Sequence, residues 1–392
     1  MIQRNISSSI LKAFKQYPIV SITGPRQSGK TTLVRSLFTD KPYVNLENPD
    51  IRAYANEDPR GFLSEYPDSV ILDEVQRTPH LFSYIQTLSD EKNQPSQYVL
   101  TGSHNFLLME NITQSLAGRV AVFKLMPLSM SELNLAQLLD KYSEAHLFKG
   151  FYPRLYDQNI DIQAYYQNYI QTYIERDVRQ IKNISDLNTF QRFLKMCAAR
   201  TGQILNLSSL ANDCGVTHNT VKAWISILQT SYIIHLLYPH YQNYSKRLIK
   251  MPKVYFLDPG LVCALVNIKT ESQLNTHYLR GELFETMIVS EFLKYRFNRG
   301  LEPNCYYWRD KTGREIDLII DKAGNPLPVE IKSAKTISKD FFKNIHYYCG
   351  LAQIETESAY LIYNGEENQT RQFGSVRGWK SLTQEMVNIF NS

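Results

Sequence analysis

Between Ile10 and Leu128, short apolar runs alternate with longer stretches of helical pattern. The runs Pro18–Thr23, Tyr43–Leu46, Ser69–Leu72 and Gln97–Thr101 are largely apolar at successive positions, as strands buried on both faces are. Strand, helix, strand in this order predicts a parallel sheet covered by helices on both sides. From Ser129 to about Leu194 the pattern becomes helical. There Tyr165, Tyr166, Tyr169 and Tyr173, at spacings of three and four, form one helix face and read as packing. Leu207–Cys214, a turn at Gly215, and a second helix capped by Thr217 with Val221, Trp224, Ile225 and Leu228 on its apolar face make a helix-turn-helix pattern. Runs at Tyr232–Tyr238 and Val254–Leu257 supply a two-stranded wing. A helix over Gly281–Arg296 then precedes strands Cys305–Arg309, Glu315–Ile320 and Leu327–Ile331, with hairpin turns between them. A further helix and the strand Ala359–Tyr363 complete a separate α/β unit.

Length changes this picture little: 392 residues suit two or three domains at roughly 150 residues each. With 43% hydrophobic and 21% charged residues, global disorder is excluded. No apolar run reaches the ~18 residues a spanning helix needs, and Met1–Lys15 has no signal-peptide pattern. The expectation is a soluble, cytoplasmic protein with no membrane partner. Cys197, Cys214, Cys263, Cys305 and Cys349 stand far apart and read as reduced, buried thiols. A net charge of +5 permits an anionic partner without demonstrating one.

Candidate chemistry concentrates first in Gly24-Pro25-Arg26-Gln27-Ser28-Gly29-Lys30-Thr31, which fits G-x-x-x-x-G-K-[ST] between a strand and a helix that continues through Thr32. Glycines let backbone amides converge on phosphate oxygens, a helix N-terminus adds positive potential, Lys30 reaches the β- and γ-phosphates, and Thr31 binds magnesium. At the end of another buried strand, Asp73 is placed to hold magnesium through water, and Glu74 to polarise the water that attacks the γ-phosphate. Thr101 or Ser103, ending a third strand, is placed to sense the γ-phosphate. Arg119 is a candidate arginine finger from a neighbouring subunit, or a surface ion pair.

The four motifs Gly24–Thr32, Leu72–Gln76, Leu100–Ser103 and Leu116–Arg119, in this order, resemble an AAA+ ATPase of the AAA_14 branch, and the remainder resembles the DUF4143 region often fused to it. The resemblance implies ATP and Mg2+ as ligands, with Lys30 and Thr31 in the Walker A loop and Asp73 and Glu74 in Walker B. It makes Ser103 the first sensor and Arg119 a finger that would require a homo-oligomer.

Near the C-terminus, Asp317 lies on one strand of a hairpin and Glu330 and Lys332 on the next. Residues two apart on a strand share a face, and antiparallel pairing brings Asp317 alongside. With Glu285 from the preceding helix, this set resembles the PD-(D/E)xK nuclease fold, in which Asp317 and Glu330 would bind a divalent metal. In the helix-turn-helix, Thr217, His218, Asn219, Thr220 and Lys222 are candidate DNA contacts, and Lys246, Arg247, Lys250 and Lys253 add a basic run; an inter-domain spacer is the alternative. His104 reads as a loop residue.

The expected fold class is α/β: an AAA+ P-loop domain at 1–130, a helical lid at 131–190, a winged helix-turn-helix at 191–270 and a restriction-endonuclease-like domain at 271–392. The expected function is ATP hydrolysis coupled to DNA binding or remodelling. The alternatives are a nucleotide-gated module for DNA or a protein partner, and an ATP-coupled metal-dependent nuclease.

Overall fold

The computed structural model describes residues 2–102, 112, 115–174, 187–240 and 250–391, with the side chains of 173, 174 and 391 left aside. The chain divides into two compact units. The first comprises Met1–Leu128, Thr230–Tyr232 and Arg296–Glu302; the second comprises Ser129–Gln229, Ile233–Tyr295 and Pro303–Ser392.

In the first unit, strands β1 (Ile19–Thr23), β2 (Tyr43–Asn45), β3 (Val70–Asp73), β4 (Tyr98–Thr101) and β5 (Val120–Lys124) form one sheet in the order β2-β3-β4-β1-β5, parallel throughout. Alternation along each strand sends side chains to opposite faces. Val20, Ile22, Ile71 and Val99 pack with Ile10 of helix α1 (Ser7–Phe14) and with Leu33 and Val34 of helix α2 (Lys30–Leu37). Ile19, Leu72 and Leu100 pack on the other face with Phe62, Phe82 and Ile85. Both faces are therefore dry, which is why these strands carry no polar alternation. The fifth strand, β5, was not expected from the sequence pattern. Its residues Val120–Phe123 are an apolar run like those of the other strands, although only Phe123 of this strand is fully buried.

In the second unit, helices Leu207–Cys214 and His218–Thr230 are joined through Gly215 in the left-handed conformation, φ +69°. Thr217 Oγ1 caps the second helix by accepting from Thr220 N at 3.1 Å. Its apolar face buries Val221, Trp224, Ile225 and Leu228, and Trp224 meets Phe190 and Phe193 with ring centroids 5.3 and 5.0 Å apart. Antiparallel strands Ile234–Leu237 and Lys253–Phe256 follow, and Gln203–Ile204 adds a short third strand. Tyr165, Tyr166 and Tyr169 are buried against Tyr152, the packing role expected of them; the Tyr173 side chain lies outside the described set.

The last part of this unit is a six-stranded mixed sheet. Its hairpin pairs Glu315–Lys322 antiparallel with Asn325–Lys332, Leu318 standing opposite Val329. Beside it, Cys305–Arg309 pairs antiparallel with a register shift between Ile316 and Ile319. Tyr360–Tyr363 and Gly374–Gly378 continue the sheet in parallel, with Gln369–Arg371 at the edge. Helix Arg280–Phe297 runs before the sheet, its residues Leu283, Phe284, Met287, Ile288, Phe292 and Leu293 fully buried. Among the described residues, no helix is long and apolar enough to cross a membrane. All five cysteines are buried and free.

Candidate nucleotide and carboxylate sites

The loop from Gly24 to Lys30 leaves β1 and turns straight into α2. Gly24 has φ +148°, and a Cβ there would lie 2.1 Å from the carbonyl oxygen of Leu125, so this position admits no side chain. Gly29, φ +92°, opens the helix. Lys30 is buried, and its ammonium folds back over the loop to donate to the carbonyls of Gly24 at 3.0 Å and Pro25 at 2.9 Å. From the far side, Arg4 clamps the loop by donating to Ser28 O at 2.8 Å and Met126 O at 2.6 Å. Arg26 and Gln27 are half-buried on the loop, and Thr31 and Thr32 are exposed on the first helical turn.

Strand order decides which groups meet here. Because β4 lies between β1 and β3, the end of β4 faces the end of β3 next to the loop. Asp73, at the end of β3, gathers hydrogen bonds on both oxygens. Oδ2 accepts from Thr31 at 2.8 Å and from Tyr43 at 2.6 Å, and Oδ1 accepts from Glu74 N at 3.1 Å and from the Thr101 hydroxyl. The Tyr43 phenol is raised above its ordinary range, first by burial and then by its bond to Asp73. Glu74 follows with φ +55°, a left-handed conformation unusual outside glycine, and its carboxylate accepts from Gln76. Gly24–Thr32, Asp73, Glu74 and Thr101 thus share one edge of the sheet. Ser103 and His104 lie outside the described residues. Arg119 donates to the Asp90 carboxylate at 2.5 and 2.8 Å. Tyr43 and Arg4 were not singled out from the sequence, since each stands far from the motif it serves.

A second cluster sits in the C-terminal sheet. The Leu318–Val329 pairing puts Asp317 and Glu330 one step further along the hairpin, and Asp317 Oδ2 accepts from Ile331 N at 2.8 Å. Lys332 Nζ lies 2.6 Å from Glu330 and 3.3 Å from Asp317, so the three residues come together as the alternation predicts. Glu285 joins from its helix. Carboxylate oxygens of Glu285, Glu315 and Asp317 all lie within 4.8 Å of one another. Crowding acids out of water disfavours their charge. Burial pushes Glu285 up to about 7, with Asp317 adding repulsion, and raises Glu330 well above the carboxylate range for the same two reasons. Glu330 Oε2 is buried and has no hydrogen-bond partner among the described residues.

Two members of this cluster were missed in the sequence. Glu315 stands two residues before Asp317 on one strand, a spacing that signals a shared face. Lys253, expected in an exposed basic run, is instead buried, with its ammonium 2.8 Å from Glu285 and 2.6 Å from Glu315. Lys250 is exposed, and Lys246 and Arg247 lie outside the described residues. On the helix-turn-helix, Thr217, His218, Asn219 and Lys222 are exposed and Thr220 half-buried.

Comparison with known proteins adds the following. The AAA domain family matches residues 16–134, a domain of unknown function, DUF8612, matches 140–272, and another, DUF4143, matches 280–381. Uncharacterized protein Rv2008c of Mycobacterium tuberculosis and uncharacterized protein Mb2031c of Mycobacterium bovis are each 30% identical over 339 residues, covering 86% of this chain and 75% of theirs. Uncharacterized protein MJ1544 of Methanocaldococcus jannaschii is 22% identical over 332 residues, covering 76% and 71%. Among solved structures, the Walker-type ATPase paby2304 of Pyrococcus abyssi aligns with a TM-score of 0.46 at 15% identity, covering 68% of this chain and 96% of that one.

Proposed function

We propose, since this chain belongs to the AAA-domain family that bears a DUF4143 region, that it is a magnesium-dependent ATPase coupling hydrolysis to DNA binding or remodelling. The observation that carries this reading is the meeting of Thr31 and Asp73, 2.8 Å apart, beside a loop whose Lys30 is already oriented by backbone carbonyls. Two hard oxygen donors side by side suit Mg2+. Thr31 and Asp73 would hold it, and when bound it neutralises charge on the β- and γ-phosphates. The backbone N–H groups of the loop from Arg26 to Lys30, continuing to Thr31 and Thr32, cradle the phosphates behind Gly24 and Pro25, and the Lys30 ammonium exchanges its carbonyl partners for phosphate oxygens. Glu74 accepts a proton from the attacking water, and Thr101 or Ser103 senses the γ-phosphate. Arg119 serves as a finger in a homo-oligomer by leaving Asp90, an exposed, solvent-screened pair that opens easily.

The parts at 1–130, 131–190, 191–270 and 271–392 act as ATPase, lid, winged helix-turn-helix and nuclease-like domain. Exposed Thr217, His218, Asn219 and Lys222 at the start of one helix favour DNA as the partner. ATP turnover measured with double-stranded, single-stranded and branched DNA tests this reading. Stimulation by one form supports it; turnover indifferent to every form moves the search to a protein partner.

A second reading, metal-dependent cleavage of a phosphodiester, is favoured by one observation: the orphaned, buried Glu330 oxygen beside Asp317. That donor set fits a divalent cation, held by Asp317 and Glu330 with Glu285 near; when bound, the cation supplies water activation and phosphate polarisation. Lys332 orients both carboxylates. Asp317→Ala and Lys332→Ala would each abolish such cleavage, and cleavage persisting in both removes the assignment.

A further inference from the structure

Lys253 is the one member of the carboxylate cluster that comes from the Lys253–Phe256 strand, and its charge has an unusual setting. Its side chain is 3% exposed, and its ammonium touches Glu285 at 2.8 Å and Glu315 at 2.6 Å. The rings of Tyr255 and Tyr307 stand 5.7 and 5.9 Å from it, and Tyr255 also donates to Glu285. A buried lysine walled by aromatic rings cannot swing to water as a surface lysine does.

The cluster splits into two halves. On one side Glu285 and Glu315 are neutralised by Lys253, with Arg309 adding a bond to Glu315 at 2.9 Å. On the other side Lys332 is the one cation paired with Asp317 and Glu330 among the described residues, Asp317 also accepting from Ile331 N, and Glu330 Oε2 has no hydrogen-bond partner among them. Two carboxylates against one ammonium let a cation be matched by charge when it displaces the proton from Glu330; the Lys253 half, with Lys253 and Arg309 facing Glu285 and Glu315, offers no such match.

We propose that Lys253 is a built-in cation that occupies the Glu285–Glu315 half of this centre, so that the protein takes up one divalent ion, at Asp317 and Glu330, and not two. The proposal rests on the reading of Asp317 and Glu330 as divalent-ion ligands. It makes Lys253 a positioning residue that sets metal stoichiometry.

Binding of Mn2+ to the full chain without nucleotide, counted by electron paramagnetic resonance of the free ion, tests it. All proteins carry Asp73→Asn, which silences the nucleotide site. Lys253→Met is expected to bind one more Mn2+ than its parent, or to bind at least tenfold tighter. Lys253→Arg is expected to behave as the parent, and Glu285→Gln to abolish the gain. Identical binding by Lys253→Met and its parent overturns the proposal. Loss of Mn2+ binding in Glu330→Gln reports separately on the ligand reading, and retention there sinks that reading whatever Lys253→Met does. Should Lys253→Met lose its cooperative melt, millimolar Mn2+ restores it; failure to do so, in a chain that refolds once Glu285→Gln and Glu315→Gln are added, also overturns the proposal.

Discussion

Thr31 donates its hydroxyl to Oδ2 of Asp73 at 2.8 Å, across 42 residues of sequence. The bond joins the first turn of the helix that follows β1 to the end of β3, two places away in the sheet, and it sets side by side the two oxygen donors that the proposed function assigns to magnesium. Activity at this edge should depend on each residue that builds it.

Glu74→Gln should retain ATP binding and lower turnover by about 100- to 10,000-fold, the range over which a general base contributes. Phosphate release and equilibrium nucleotide binding, measured on the same preparation, separate the two effects. An unchanged steady-state rate would remove Glu74 as the group that activates water.

Tyr43→Phe deletes one of the hydroxyls that hold Asp73. A hydrogen bond to a charged group is worth about 1.5 kcal/mol, so half-saturating Mg2+ should rise about tenfold while the fold is kept. Turnover titrated with Mg2+ at saturating ATP reads this directly. Tyr43 acts through Asp73, and a purely structural role would leave the Mg2+ dependence unmoved.

Most of the candidate nucleotide edge was legible in the sequence because its determinants are local. Glycines, Lys30 and Thr31 lie within one loop, and Asp73 and Glu74 end an uninterrupted apolar strand. Tyr43 was illegible because only the pairing of its strand with Asp73's strand, Asn45 opposite Asp73, brings the phenol there. In the C-terminal sheet, strand alternation was enough to bring Asp317, Glu330 and Lys332 together. Lys253 was misread because a lysine in a basic run looks solvated, and its acidic partners come from a helix and a strand more than thirty residues on. The strands Gln369–Arg371 and Gly374–Gly378 were missed because their polar and glycine residues leave no apolar run to mark them, whereas the overlooked strand at 120–124 does carry one in Val120–Phe123.

Acid should destabilise the second unit through His146. The ring is buried, with Nε2 accepting from Asp140 N at 2.8 Å, so Nδ1 carries the proton toward Tyr156 at 3.1 Å and the neutral form is favoured. Burial lowers its pKa from 6.5 to about 4. The unfolded chain therefore binds the extra proton first as pH falls. Stability is full above about pH 6.5 and declines toward pH 4, by about 3 kcal/mol across that window. Denaturant titrations at pH 7, 5.5 and 4.5 should show the decline, and His146→Phe should flatten it. A wild-type profile with the same slope as the variant would contradict the assignment.

Trp224→Ala should cost about 3 to 5 kcal/mol of stability, because the indole fills the space against Phe190 and Phe193. A fall in the midpoint of chemical denaturation at unchanged slope would register it. A loss below 1 kcal/mol would mean that these helices close over the gap.

The central claim, that the chain hydrolyses ATP at the Lys30–Asp73 edge, is tested most directly by phosphate release from Mg-ATP by the purified protein beside Lys30→Ala. The account expects magnesium-dependent turnover in the wild type and its loss in the variant. Equal turnover in both proteins, or magnesium-dependent ATP binding that survives Lys30→Ala undiminished, would contradict it.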